Sequence, residues 1–218
     1  MKAMILAAGR GKRMKSLTKN TPKPLLKIKG KTLIEHSIEK LKKAGIVDIV
    51  INTSYLGEQI QAYLGDGSAF GVNIQYSAEA SPLETAGGII QALPLLGDKP
   101  FIVINSDVVC DYDLSTLHLP KNSLAHLVLI DNPPHHPNGD FSLTAKQQIT
   151  LDENARLTFS GIAIYHPDFF KNHLDCQTEL PLYPLLKEAI DTQQLTAEHY
   201  QGYWQDIGTP ERLELANL

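Results

Sequence analysis

The sequence predicts an α/β fold: a Rossmann-like, mixed but mainly parallel central sheet flanked by helices, with a small antiparallel lobe in its later part. Three observations point there. Short apolar runs alternate with helical patterns through the first half of the chain, as parallel strands joined by crossover helices do. Beyond residue 120 apolar runs follow one another without long helices between them, the pattern of an antiparallel extension. The first run also empties into a turn rich in glycine and arginine, Ala7-Ala8-Gly9-Arg10-Gly11-Lys12-Arg13-Met14.

Met4 to Ala7 is the first strand. Leu33, Ile34, Ser37, Ile38, Leu41 and Ala44 recur at helical spacing, Gly45 closes that helix, and Val47 to Ile51 completes a strand, helix, strand unit. Leu56 to Leu64 reads as a second helix, Val72 to Tyr76 as a third strand, and Thr85 to Leu93 as a helix opened by a glycine pair. Phe101 to Asn105 is apolar on both faces, which puts it in the sheet centre, and it runs out into Ser106-Asp107. Ligands of open α/β sheets gather at that carboxyl end. Ala125 to Ile130, Asp140 to Leu143, Gln148 to Leu151 and Leu157 to Tyr165 are the later strands. Pro181 to Ile190 and Thr209 to Asn217 are the closing helices, the second with Thr209 as N-cap and Pro210 in its first turn. No repeat or long linker divides the chain, so residues 1–218 are expected to form one domain, in two parts, 1–120 and 121–218.

Charge is distributed unevenly. Of twenty Lys and Arg, ten fall within residues 1–31, and the first acid is Glu35. The remainder sets ten bases against all twenty-four acids. A mildly acidic protein with its positive charge gathered at one end suits capture of a small polyanion better than binding of a nucleic acid polymer. Nothing approaches bilayer length, the first apolar run is too short for a signal peptide, and the two cysteines, Cys110 and Cys176, suggest neither a disulfide framework nor a zinc site. A cytoplasmic protein without a membrane partner is expected, and the lack of a long exposed apolar tail favours a monomer.

Gly9 and Gly11 let backbone N–H groups approach a phosphate, Arg13 can fork onto its oxygens, and Lys23 in Thr21-Pro22-Lys23-Pro24-Leu25 adds a mobile point charge. A lone G-x-G is weak evidence, since many strand-to-helix turns carry glycine. The strand before it and the Arg and Pro-Lys-Pro after it favour a phosphate cradle over a solvated surface turn. No G-x-x-x-x-G-K-[ST] occurs, and Met14 stands where the third glycine of a dinucleotide fingerprint belongs, so a Rossmann oxidoreductase is a poor competitor. Asp107 ends a buried strand, where an acid is costly without a cation or donors. Taken alone it is equally a capping aspartate or a metal ligand. Asp206, in Trp204-Gln205-Asp206-Ile207-Gly208-Thr209, presents a similar case, and two carboxylates converging on one Mg²⁺ are what a nucleotide site requires.

Together, A-A-G-x-G-x-R-M, P-K-P-L, the turn at Leu83-Glu84-Thr85-Ala86-Gly87-Gly88, the acid ending a central strand and W-x-D-x-G-T resemble the sugar-1-phosphate nucleotidyltransferases, over essentially the whole chain. Residues 83–89, 131–141 and 199–204 narrow the resemblance to a uridylyltransferase branch serving bacterial cell-wall (peptidoglycan) recycling. The resemblance implies a fold of the nucleotide-diphospho-sugar transferase type, with 1–120 as the nucleotide-binding part and 121–218 as the sugar-binding part with its closing helices. It implies UTP and a sugar 1-phosphate as substrates and Mg²⁺ as cofactor. Gly11, Lys12 and Arg13 would hold the β- and γ-phosphates, with Gly9 also on the nucleotide, and Lys23 the α-phosphate and incoming sugar phosphate, Arg13 and Lys23 being catalytic. Asp107 and Asp206 would bind the metal, Gly87, Gly88 and Asn105 the nucleoside, and Asp140 and Gly161 the sugar, Gly161 as bare backbone at a strand end.

Ser106 departs from the Gly that many members carry there, and the second lysine common in glucose-specific members is absent near Asn138-Gly139-Asp140-Phe141. Rivals are a guanylyl- or thymidylyltransferase acting on mannose- or glucose-1-phosphate and, from another class, a non-catalytic nucleotide-sugar sensor. His135-His136, set among prolines, read as turn or pocket-edge residues rather than metal ligands. Tyr200, Tyr203 and Trp204 read as alternating along one strand and serving packing first.

Overall fold

The computed structural model describes every residue except Glu153, Cys176 and Gln177, so the expectation about Cys176 lies outside the described residues. In chain order the elements are β1 (Lys2–Leu6), a small hairpin β2 (Lys27–Ile28) and β3 (Lys31–Thr32), α1 (Leu33–Lys43), β4 (Asp48–Thr53), α2 (Gly57–Leu64), β5 (Asn73–Ala78), α3 (Glu84–Leu96) and β6 (Phe101–Asn105). There follow β7 (Val108–Cys110), β8 (Ala125–Ile130), β9 (Phe141–Leu143), β10 (Ile149–Thr150), β11 (Arg156–Tyr165), α4 (Leu182–Asp191), β12 (Leu195–Tyr200), β13 (Trp204–Asp206) and α5 (Pro210–Asn217).

The sheet runs β5-β4-β1-β6-β11, with β8 beyond β11 and β12 beyond β8. β5, β4, β1 and β6 are mutually parallel, β11 is antiparallel to both β6 and β8, and β12 is parallel to β8. The fold is therefore mixed and mainly parallel. In the later part β11 pairs antiparallel with β6, β8 and β9, and β9 with β10, as expected, whereas β12 departs from expectation by running parallel to β8.

Strand alternation divides the apolar residues into two layers. Met4, Val50, Phe101 and Val103 face α3 and α4, with Leu127, Tyr165 and Phe170 beside them. Ala3, Ile5, Ile49, Ile51, Ile102 and Ile104 face the other way, onto Ile34, Ile38 and Leu41 of α1 and Ile60 of α2. Successive residues of β6 thus belong to different cores, which is why it reads as apolar on both faces. A third, small cluster packs Ile28, Leu33 and Ile207 with Leu213 and Ala216 of α5, and Asn217 Oδ1 accepts from Lys29 N–H at 2.8 Å. The C-terminal helix is thereby docked beside the segment that follows Lys23.

Several elements differ from expectation. α3 starts at Glu84 and continues past Pro94 to Leu96, so Gly87 and Gly88 lie inside the helix rather than opening it. Burial of Leu96 favours the final turn despite the proline. Gly161 sits within β11, not at a strand end, at a bulge where the register with β8 shifts between Phe159 and Ala163. Tyr200 and Trp204 belong to separate strands, with Tyr203 in neither. Gly202 lies so close under the Tyr200 hydroxyl that a side chain there would collide with it. Among the described residues no helix is long and apolar enough to cross a membrane.

Candidate active site

A cleft of about 730 Å³ opens at the carboxyl ends of β1, β4 and β6. It is lined by the loop after β1, by Lys23 and Asp107, and by Glu79, Pro82–Thr85 and Glu179.

The loop holds its shape through local contacts. Gly11 takes φ +65°, and an added Cβ would press on Lys23 and Thr18 at 3.1–3.2 Å, so both its conformation and its neighbours favour glycine. Thr18 donates its hydroxyl to Gly11 O at 3.0 Å, Met14 N–H does so at 2.9 Å, and fully buried Met14 anchors the turn in the core. Lys12, Arg13 and Lys23 all line the cleft with Gly9 and Gly11.

Asp107 follows β6 and is ion-paired with Lys23, the two side chains being 21% and 12% exposed. β13 pairs antiparallel with β7, setting Asp206 opposite Val108, and Ile207 N–H donates to Asp107 O at 2.8 Å. Two aspartates 99 positions apart in sequence are thus adjacent across a two-stranded ladder. Asp206 is ion-paired with Arg212, in the first turn of α5. Arg212 Nη1 also donates to His135 Nε2 at 2.7 Å. A guanidinium only donates, so that nitrogen accepts, and its 3.0 Å approach to Asp206 is a contact rather than a hydrogen bond.

Two aspartates whose backbones are neighbours across the ladder supply the hard oxygen donors that suit a Mg²⁺ site drawing its remaining ligands from phosphate and water. No cluster of three or more His, Cys, Asp or Glu that would hold an ion by itself occurs among the described residues. His136 meets Asp140 at 3.0 Å, and Asp140 Oδ2 accepts from Phe159 N–H at 2.8 Å.

The remaining expected residues stand as follows. Asn105 lines the cleft, and a Cβ on Gly161 (φ +80°) would stand 2.5 Å from its Nδ2, so the bulge glycine makes room for this asparagine. Gly87 and Gly88 do not line the cleft. A Cβ on Gly88 would meet Glu79 Oε1 at 2.6 Å, and one on Gly87 would meet Thr178 O at 3.2 Å. What they admit in this structure is protein. Asp140, Gly161 and Asp206 also lie outside the cleft lining.

Sequence reasoning missed Arg212, Asn52 and Glu79. Asn52 at the end of β4 accepts from Ala7 N–H at 2.8 Å and donates to Glu79 Oε1 at 2.7 Å, tying the base of the loop to Glu79 in the cleft lining. Glu79 is 6% exposed. Burial pushes its carboxyl above the usual glutamate range, against the opposing hydrogen bonds from Asn52 and Leu83 N–H. The signal for both was the one used for Asp107, a polar residue at the carboxyl end of a parallel strand. Glu84 also lines the cleft, in a left-handed conformation, φ +60°.

The chain belongs to the nucleotidyl transferase family, whose profile matches residues 2–218. Among individual proteins it is similar to the N-acetylmuramate alpha-1-phosphate uridylyltransferase of Neisseria meningitidis serogroup B, 49% identical over 224 residues covering 99% of this chain and 96% of that protein. The mannose-1-phosphate guanyltransferase of Hypocrea jecorina is 31% identical over 97% of this chain, which spans only 62% of that longer protein. A structure described as a glucose-1-phosphate thymidylyltransferase of Bacillus anthracis, in complex with a sucrose, superposes with a TM-score of 0.88 at 25% identity over 100% of this chain and 94% of that one. HddC of Yersinia pseudotuberculosis, complexed with GMP-PN, shares the fold with a TM-score of 0.80.

Proposed function

We propose that the chain joins UTP and N-acetylmuramic acid 1-phosphate to give UDP-N-acetylmuramic acid and pyrophosphate, in peptidoglycan recycling. The observation that carries this reading is the full-length 49% identity to a uridylyltransferase of that specificity, in a chain whose cleft gathers the phosphate loop, Lys23 and Asp107.

In the proposed reaction a sugar-phosphate oxygen attacks the α-phosphorus of UTP in line. One P–O bond forms, the bond from that phosphorus to the bridging oxygen breaks, and pyrophosphate leaves with the electron pair. The attacking phosphate is already an anion at neutral pH, so no general base is required. The protein's task is to hold two mutually repelling anions together and to stabilise charge on the transferring and leaving groups. Gly11, Lys12 and Arg13 are assigned to the β- and γ-phosphates, Gly9 also to the nucleotide, Lys23 to the α-phosphate and the sugar phosphate, and Asn105 to the nucleoside. Asp107 and Asp206 would hold Mg²⁺, which when bound supplies Lewis-acid stabilisation of phosphate charge. Asp140 and Gly161, near the loop 131–140, are assigned to the sugar side. Residues 1–120 form the nucleotide half of this arrangement and 121–218 the sugar half.

The test is pyrophosphate release over a grid of UTP, GTP and dTTP against the 1-phosphates of N-acetylmuramic acid, mannose and glucose. The fastest turnover is expected with UTP and N-acetylmuramic acid 1-phosphate. Preference for GTP with mannose 1-phosphate would establish the guanylyl rival, and tight UDP-sugar binding without turnover the sensor.

A further inference from the structure

Each of the two carboxylates assigned to the metal already has a fixed cation of its own, one from each half of the chain. Lys23 is paired with Asp107 and Arg212 with Asp206, and both basic side chains are largely buried, at 12% and 15% exposure. A divalent ion competes with the ammonium and the guanidinium for these carboxylates, because like charges gathered on one carboxylate repel one another. The cations have other places to go. Lys23 lines the cleft beside Arg13 and the phosphate loop, on a flexible stem that can carry its charge onto a bound polyphosphate. Arg212 has His135 Nε2 as a second acceptor at 2.7 Å.

We propose that Lys23 and Arg212 are resident counter-cations that exchange with the divalent metal: they neutralise Asp107 and Asp206 in the nucleotide-free protein and leave those carboxylates when triphosphate and metal arrive. The proposal rests on the reading of Asp107 and Asp206 as metal ligands. Its consequence is a coupling free energy between nucleotide and metal. A triphosphate that draws Lys23 away from Asp107 exposes the metal site, and by reciprocity bound metal releases Lys23 for phosphate. Lys23 would thus be charged toward whichever anion is present and would never be buried unpaired, a state that is costly. The same exchange disfavours metal binding to the nucleotide-free protein.

The experiment is Mn²⁺ binding to the nucleotide-free full chain, read from loss of the free-ion electron paramagnetic resonance signal. The variants are Lys23→Met, Arg212→Met, Asp107→Asn and Lys12→Met, each checked for an intact melting transition. Lys12 lines the same cleft but is not among the ion pairs of the described residues, so its variant measures the general effect of removing a nearby positive charge. Lys23→Met and Arg212→Met are each expected to tighten Mn²⁺ binding roughly 5- to 150-fold, the range of site-to-site coupling, and clearly more than Lys12→Met does. If neither exceeds the Lys12→Met control while Asp107→Asn abolishes binding, the metal site stands and the exchange is wrong. If Asp107→Asn leaves Mn²⁺ binding unchanged, the metal assignment fails and the exchange fails with it.

Discussion

The phosphate end of the cleft and the lobe opposite are built by different means. The first is nearly continuous in sequence: one strand, one loop closed by Gly11, Met14 and Thr18, and Lys23 immediately after. Only Asp107 comes from elsewhere. The second is assembled from distant segments, with Asn132 holding Arg156 and Thr158, His199 meeting Asp131 at 2.9 Å, His135 against Arg212 and Trp204 donating to Ser160 O at 2.9 Å. A triphosphate presents the same anionic geometry whatever the base or sugar, so a compact local motif can serve it. A sugar pocket varies with its ligand, and long-range contacts can be altered one at a time without disturbing the loop.

That contrast can be broken at several points. Replacing Asp107 with Ala removes both the proposed metal ligand and the partner of Lys23. Turnover with Mg²⁺ should fall on the order of 10³-fold or more in steady-state assays, with the fold retained in circular dichroism. Arg13→Ala should cost about 1.5–3 kcal/mol in kcat/KM for UTP through loss of a charge-assisted contact, with stability little changed. A loss below twofold would remove Arg13 from the cradle. Asn132→Ala gives up donors to Pro137 O and Arg156 O and the acceptor of the Thr158 hydroxyl. It should lower stability by about 1–3 kcal/mol in denaturant titrations and raise KM for the sugar phosphate while leaving KM for UTP alone. If both KM values moved together, the two halves would not be separable.

Smaller effects sharpen the picture at Glu79 and Glu84. Glu79 has its pKa raised in the folded state, so its contribution to stability is greatest below the unfolded glutamate value and is lost as pH rises through the folded one. Glu79→Gln, which cannot ionise, should therefore flatten the decline in melting temperature as pH rises from the ordinary glutamate range through the raised folded value. Glu84→Gly relieves a left-handed backbone and should raise stability by about 0.5–1 kcal/mol, or roughly 1–4 °C in Tm.

The sequence made the first half of the fold legible because β1, β4 and β6 are short and apolar on both faces while β5 alternates, so periodicity and length agree. Helix ends were less legible where tertiary packing overrides local preference, as at Pro94, where burial of Leu96 carries α3 past the proline. β7 and β13 have three residues each and no period of their own; what makes them strands is their pairing with one another. The same holds for the site. Gly9 to Lys23 announces itself, whereas Arg212 and His135 gain meaning only once β13 and α5 bring them to Asp206. Gly87, Gly88 and Gly161 also carry a packing role that a sequence pattern does not announce, since each leaves room for a protein group: the segment at Thr178, Glu79 and Asn105 respectively.

The central claim is that the two halves meet at one shared ion, held by Asp107 from the first and Asp206 from the second. A double-mutant cycle tests it most directly: kcat with Mg²⁺ for Asp107→Asn, Asp206→Asn and the pair together. Carboxylates acting on one ion should be strongly non-additive, the double variant being little slower than the worse single one. Losses that multiply would mean that the two aspartates act independently and would contradict the shared site.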